Sequence, residues 1–164
     1  MLALKHRVHT PWQAMGGLVA IKGSNSNWLG SNYNTDAPGL VSVLGNFETY
    51  RIHGGSVGHV CIATCHDNNE FAKWLVAKTD LSSAQTHGTA NVACPTLAIA
   101  HWHIYSPLTA SDGQDWGTVS GDAKRVVMYN VHANKYLGVT GGNVVFKTTY
   151  GADDWWEIHP RGVP

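Results

Sequence analysis

Short runs in which apolar and polar residues alternate recur along the chain, each cut off by a cluster of Gly, Asn, Asp, Ser or Pro. That is the pattern of half-buried β-strands joined by turns. Three of the runs close in the same way, with an aromatic residue, one polar residue and an isoleucine: Tyr50-Arg51-Ile52, Trp102-His103-Ile104 and Trp156-Glu157-Ile158. Side chains alternate across a strand, so each aromatic shares a face with its isoleucine while the residue between them points the other way. No stretch carries apolar positions at helical spacing, and the predicted class is all-β.

The closing aromatics are 52 and 54 residues apart, which marks three copies of one unit. The third copy opens with residues 124–129 and continues through Lys135-Tyr136-Leu137 and the turn Gly141-Gly142-Asn143 to residues 144–147. The first copy opens with residues 19–22 and passes through Trp28-Leu29 to residues 40–43. A separation of 7 from Ile21 to Trp28 and from Tyr129 to Tyr136 equates Ile21 with Tyr129. The middle copy is looser: it opens with residues 59–64, has its own aromatic-leucine step at Trp74-Leu75, and carries a long polar segment over residues 79–91. Boundaries of 17–55, 56–106 and 122–160 follow, within one domain covering residues 1–164.

Units of roughly four short strands cannot bury their apolar faces alone and must share a core. The economical solution is the β-trefoil, with Tyr50, Trp102 and Trp156 near its pseudo-threefold axis. The chain resembles the β-trefoil superfamily, whose relatives include ricin-B-like lectins, fascin and hisactophilin modules and the amaranthin-type agglutinin domain. The agglutinin likeness rests on Val60-Cys61-Ile62, Asp67-Asn68-Asn69-Glu70-Phe71 and Trp74-Leu75-Val76-Ala77, and fascin-like modules share the Asn134-Lys135-Tyr136-Leu137 run. The ricin-type sugar motif, a Gln two residues before the closing aromatic, is not met: Glu48, Ala100 and Asp154 stand there.

Charge narrows the partners. Eleven basic and eleven acidic residues cancel, and no basic cluster exceeds Lys124-Arg125, so nucleic acid is not an expected partner. No run approaches the ~20 apolar residues of a membrane span, so membrane insertion is not expected either. The first residues lack the apolar stretch of a signal peptide, which makes a cytoplasmic, reduced protein the expectation, with later release an option. The three cysteines, Cys61, Cys65 and Cys94, cannot all pair, and Cys61 reads as a small buried apolar residue between Val60 and Ile62. Among ten histidines, His101 and His103 flank Trp102 on one face, but no third ligand is visible, and neither a metal nor a cofactor is expected. No catalytic motif can be assembled, so the expected protein is not an enzyme.

The surplus of aromatics beside amides and carboxylates points to sugar. A pyranose stacks its C–H face on a ring and gives its hydroxyls to planar side chains. Three segments offer those parts: Asn32, Tyr33, Asn34 and Asp36; Asp112, Gln114, Asp115 and Trp116; and Asp153 with Trp155, which must face away from Trp156. The expected function is a non-catalytic lectin or agglutinin for glycans or glycoproteins, and the resemblance implies galactose or N-acetylgalactosamine, with a homodimer as one route to avidity. The alternative is a protein-binding trefoil, a protease inhibitor or a cytoskeletal module, using residues 79–91 as its docking loop.

Overall fold

A computed structural model describes residues 4–7, 18–31, 37–45, 48–54, 59–64, 73–87, 97–107 and 124–160. Within them run thirteen strands: β1 (Leu4–Arg7), β2 (Leu18–Lys22), β3 (Trp28–Gly30), β4 (Gly39–Val41), β5 (Thr49–Gly54), β6 (Val60–Thr64), β7 (Trp74–Ala77), β8 (Ala84–His87), β9 (Trp102–Pro107), β10 (Lys124–Asn130), β11 (Lys135–Thr140), β12 (Asn143–Lys147) and β13 (Trp156–Pro160). Strands β2, β5, β6, β9, β10 and β13 pair antiparallel in a closed ring, β13 returning to β2. Closure removes the free edges that an open sheet would expose. Hairpins β3–β4, β7–β8 and β11–β12 hang from β2, β6 and β10. The fold is a β-trefoil, with β1 added outside β9.

The three closing phrases build the core as their alternation requires. Tyr50, Trp102 and Trp156 are wholly buried, and Ile52, Ile104 and Ile158 lie in the same cluster. Each closing aromatic has a buried leucine of its own copy, Leu29, Leu75 or Leu137, in that core. The Trp102 indole donates to the Leu75 carbonyl at 2.9 Å and the Trp156 indole to the Leu137 carbonyl at 2.9 Å. Burial of an N–H is tolerated only with such a partner. In the first copy the closing residue is Tyr50, whose hydroxyl finds no partner among the described residues. Burial, and secondarily the charge of Glu48, pushes that hydroxyl far above the usual tyrosine range.

Two expectations about the strand pattern are corrected. The rungs Ile21↔Ile158, Ile62↔Ile52 and Met128↔Ile104 make Ile21 the counterpart of Met128, so equating Ile21 with Tyr129 is one residue off. Lys22 pairs with Trp28 as Tyr129 pairs with Tyr136, because the first-copy turn is a residue shorter, closed by Gly23 N–H to Asn27 O with Ser26 at φ 67°. A slip of one would have turned Ile21 outward. The second correction concerns the supposed docking loop. Its residues 84–87 are β8, with Ala84 and Thr86 buried, and the turn before them is tied to the third copy by Phe146 N–H to Ser82 O and Ser83 Oγ to Val144 O. That part of the segment serves the core; residues 88–91 lie outside the described residues.

Cys61 is buried, as expected, but on the face opposite Val60 and Ile62, in a second cluster with Ala63, Trp74, Val76 and Ala100, and it is disulfide-bonded rather than a thiol. Three cysteines cannot all pair; two of them can.

Candidate functional site

The approach to β13 sets up two faces. From Trp155 to His159 the residues alternate outward and inward: Trp155, Glu157 and His159 are half-buried, while Trp156 and Ile158 are in the core. The 3-10 turn Ala152–Asp154 delivers the chain in this register. Its anchor is the buried Asp154, whose Oδ2 accepts the Gly151 N–H at 2.7 Å while Oδ1 meets the Lys147 ammonium at 2.7 Å. Gly138 makes room for that carboxylate, since a Cβ there would stand 2.3 Å from Asp154 Oδ1. Glu48 plays the same part in the first copy, accepting the Gly45 N–H at 3.1 Å, with Gly30 packed against it. The acidic residues that replace the ricin-type Gln are turn anchors.

Trp155 is thereby held outward, its ring edge-on to Tyr150 with centroids 5.6 Å apart and planes at 82°. It lines an open pocket of about 190 Å³ together with Ser24, Arg125 and Glu157. Arg125 and Glu157 face each other across the β10–β13 pair. Glu157 Oε1 lies 3.0 Å from His159 Nε2, and the His159 ring in turn rests edge-on against Trp28. Ser24 comes from the β2–β3 turn and is fixed by donating its hydroxyl to the Asp153 carbonyl at 2.7 Å. One ring, one guanidinium, one carboxylate and one hydroxyl therefore converge on a volume below the roughly 300–1,000 Å³ of drug-sized sites.

From Trp155 a row of rings continues through the buried Tyr150. Tyr150, Tyr136 and Tyr129 follow at centroid steps of 5.6, 5.1 and 5.1 Å, and Tyr129 meets both His103 and Tyr105. Burial, with the neighbouring Tyr136, raises the hydroxyl pKa of Tyr129 and of Tyr150.

Of the ten residues singled out from sequence, the structure describes Asp153 and Trp155. Trp155 lines the pocket; Asp153 is exposed and contributes its backbone carbonyl to Ser24. Asn32, Tyr33, Asn34 and Asp36, and Asp112, Gln114, Asp115 and Trp116, lie outside the described residues. Sequence reasoning missed Arg125, Glu157 and Ser24. The signal for Glu157 was present, because the period of two that turns Trp155 outward does the same for Glu157; Arg125 and Ser24 needed the barrel register.

His101 and His103, expected as a pair, separate. His103 Nδ1 lies 3.1 Å from the Tyr105 hydroxyl, whereas the His101 ring stacks on His59 with centroids 3.7 Å apart. His59 and His101 with Cys61 form the group of metal-ligating side chains found among the described residues.

No protein-family model matches the chain, and no curated protein matches it in sequence. Solved structures do match in fold. The lectin SeviL bound to asialo-GM1 saccharide shares 12% identity at a TM-score of 0.59, over 87% of this chain and 95% of its own. The designed threefold-symmetric protein ThreeFoil shares 13% identity at a TM-score of 0.57, over 87% and 98%. The cytolethal distending toxin of Actinobacillus actinomycetemcomitans shares 14% identity at a TM-score of 0.62, over 91% and 94%. At these identities the likeness establishes the β-trefoil and nothing finer.

Proposed function

We propose that the protein is a non-catalytic glycan-binding module, and that its site is the pocket at Trp155. The observation that carries this reading is the convergence of an outward-held indole with Arg125, Glu157 and Ser24 in one open pocket. The ring offers a face for the C–H groups of a pyranose; the guanidinium and carboxylate each engage two hydroxyls; the serine adds a third kind of contact. The pocket volume suits one sugar ring, a terminal residue rather than an internal stretch of chain. Galactose or N-acetylgalactosamine is the proposed ligand class, by resemblance to trefoil lectins. A solved trefoil neighbour being a lectin with bound saccharide supports the general reading.

The test is titration calorimetry against galactose, N-acetylgalactosamine and glucose, preceded by a glycan array. Wild type is expected to bind a galactose-type ligand, and Trp155→Ala to lose at least about tenfold in affinity, equivalent to ~1.4 kcal/mol, with little change in melting temperature. Absence of binding to any glycan at millimolar concentration would end this reading. Full affinity in Trp155→Ala would move the site to the segments around Tyr33 or Trp116.

A further inference from the structure

Apart from the Trp155 pocket, the middle copy gathers three chemically active side chains. His59 immediately precedes β6, Cys61 is its second residue, and His101 immediately precedes β9. Val60 pairs with Trp102 across β6 and β9, and this contact brings the two histidines together. Their rings stack at 3.7 Å and 17°, and one ligand atom from each of His59, Cys61 and His101 lies within 4.8 Å of the other two. Both histidines are half-buried and the cysteine is wholly buried.

Two imidazoles and one cysteine sulfur are a ligand set for zinc. A tetrahedral shell with bonds of about 2.0–2.3 Å holds its ligand atoms about 3.3–3.8 Å apart. The observed cluster therefore needs only small side-chain rotations to close on an ion. What stands in the way is chemical: Cys61 is disulfide-bonded, and a disulfide sulfur is not a thiolate.

We propose that His59, His101 and Cys61 form a redox-gated zinc site, closed while Cys61 is in its disulfide and opened when a dithiol reductant breaks it. In that exchange the dithiol gives two electrons and two protons to the protein disulfide and becomes a disulfide itself; the protein gains two thiols. The ion then displaces the proton of Cys61, which leaves to solvent, as a Zn–S bond forms.

The experiment uses the full chain, reduced with a water-soluble phosphine and desalted under argon, against the same chain kept oxidised. Zinc sulfate is titrated in by calorimetry, and bound metal is counted by plasma mass spectrometry after gel filtration. The expected result is one zinc per reduced chain with affinity at least about 100-fold above that of the oxidised chain. His59→Gln and His101→Gln should each lower the reduced chain's affinity by about tenfold or more; both positions are half-buried, and circular dichroism checks that the variants fold. Cobalt added to the reduced wild type gives a thiolate-to-metal charge-transfer band if Cys61 ligates, a readout that needs no variant. Equal affinity in both redox states, absence of that band, or unchanged binding in both histidine variants would each overturn the proposal.

Discussion

The third and middle copies of the trefoil solve the same core problem and differ at the position two residues before the closing tryptophan. In the third copy Asp154 anchors its own 3-10 turn through Gly151 and Lys147. In the middle copy Ala100 occupies that place and has no side chain to do so. There the turn Ala98–Ala100 is secured from outside: Asn130, on the next copy, donates its side-chain amide to the Ile99 carbonyl, and Val131 N–H donates to the His101 carbonyl. Both arrangements present the indole to its leucine carbonyl at the same 2.9 Å. The inward positions are thus held constant by different means. The outward ones have diverged into a pocket in one copy and a histidine–cysteine cluster in the other.

The largest test of that equivalence is removal of the two indoles. Trp102→Ala and Trp156→Ala should each cost ~3–5 kcal/mol in denaturant unfolding, since each empties a fully buried site. A gap of more than about 2 kcal/mol between the two variants would mean that the copies share geometry but not energetics.

Next in size is the third copy's own anchor. Asp154→Ala should cost about 1.5–3 kcal/mol, the range for a buried bond to a charged group, because it strands the Gly151 N–H. Gly138→Ala should cost ~1–3 kcal/mol through collision with the Asp154 carboxylate. The double variant should fall well short of the sum of the single ones, because the first change removes the atoms with which the second collides. Additive losses in a double-mutant cycle would show that Gly138 and Asp154 act independently.

The smallest expected effect is on pH dependence and belongs to the middle copy. Burial, then Arg51, lowers the pKa of His53; burial, then His101, lowers that of His59. Both therefore take up protons more readily in the unfolded chain. The stability they leave intact above the ordinary imidazole pKa of about 6.5 is lost as pH falls through that value toward the folded ones. Melting temperature should drop on acidification from about pH 7 to about pH 5, roughly half a unit above and one and a half units below the ordinary imidazole value, and by less in His59→Gln. An identical acid response in that variant would assign the effect to other groups.

Much of the fold was legible because it rests on periodicity. The closing phrases gave three copies, the inward and outward faces, and the outward direction of Trp155. Register was less legible: a one-residue difference in turn length moved Ile21 from the rung of Tyr129 to that of Met128, and turn length is set by backbone bonds such as Gly23 N–H to Asn27 O that leave little trace in composition. The roles of Glu48 and Asp154 could be read only as a missing glutamine until their contacts with Gly45 and Gly151 were visible. The candidate pocket was legible in part for the same reason. Alternation finds Glu157 beside Trp155, whereas Ser24 and Arg125 reach the pocket through pairings between strands far apart in sequence. His59 and His101 likewise meet only because β6 pairs with β9.

The hydroxyl of Ser24 that holds the Asp153 carbonyl joins positions 129 residues apart. The Trp155 pocket is therefore a seam, made where the opening strand of the barrel receives its final one. A growing chain emerging from the ribosome carries Ser24 long before Trp155 exists, and the pocket has no walls to join until the ring shuts. Closure of so distant a pair is among the slower steps of folding, because the intervening chain must first give up its freedom. A ligand bound at the proposed site would report that the barrel is complete, and it would draw the two ends of the barrel together and slow their parting.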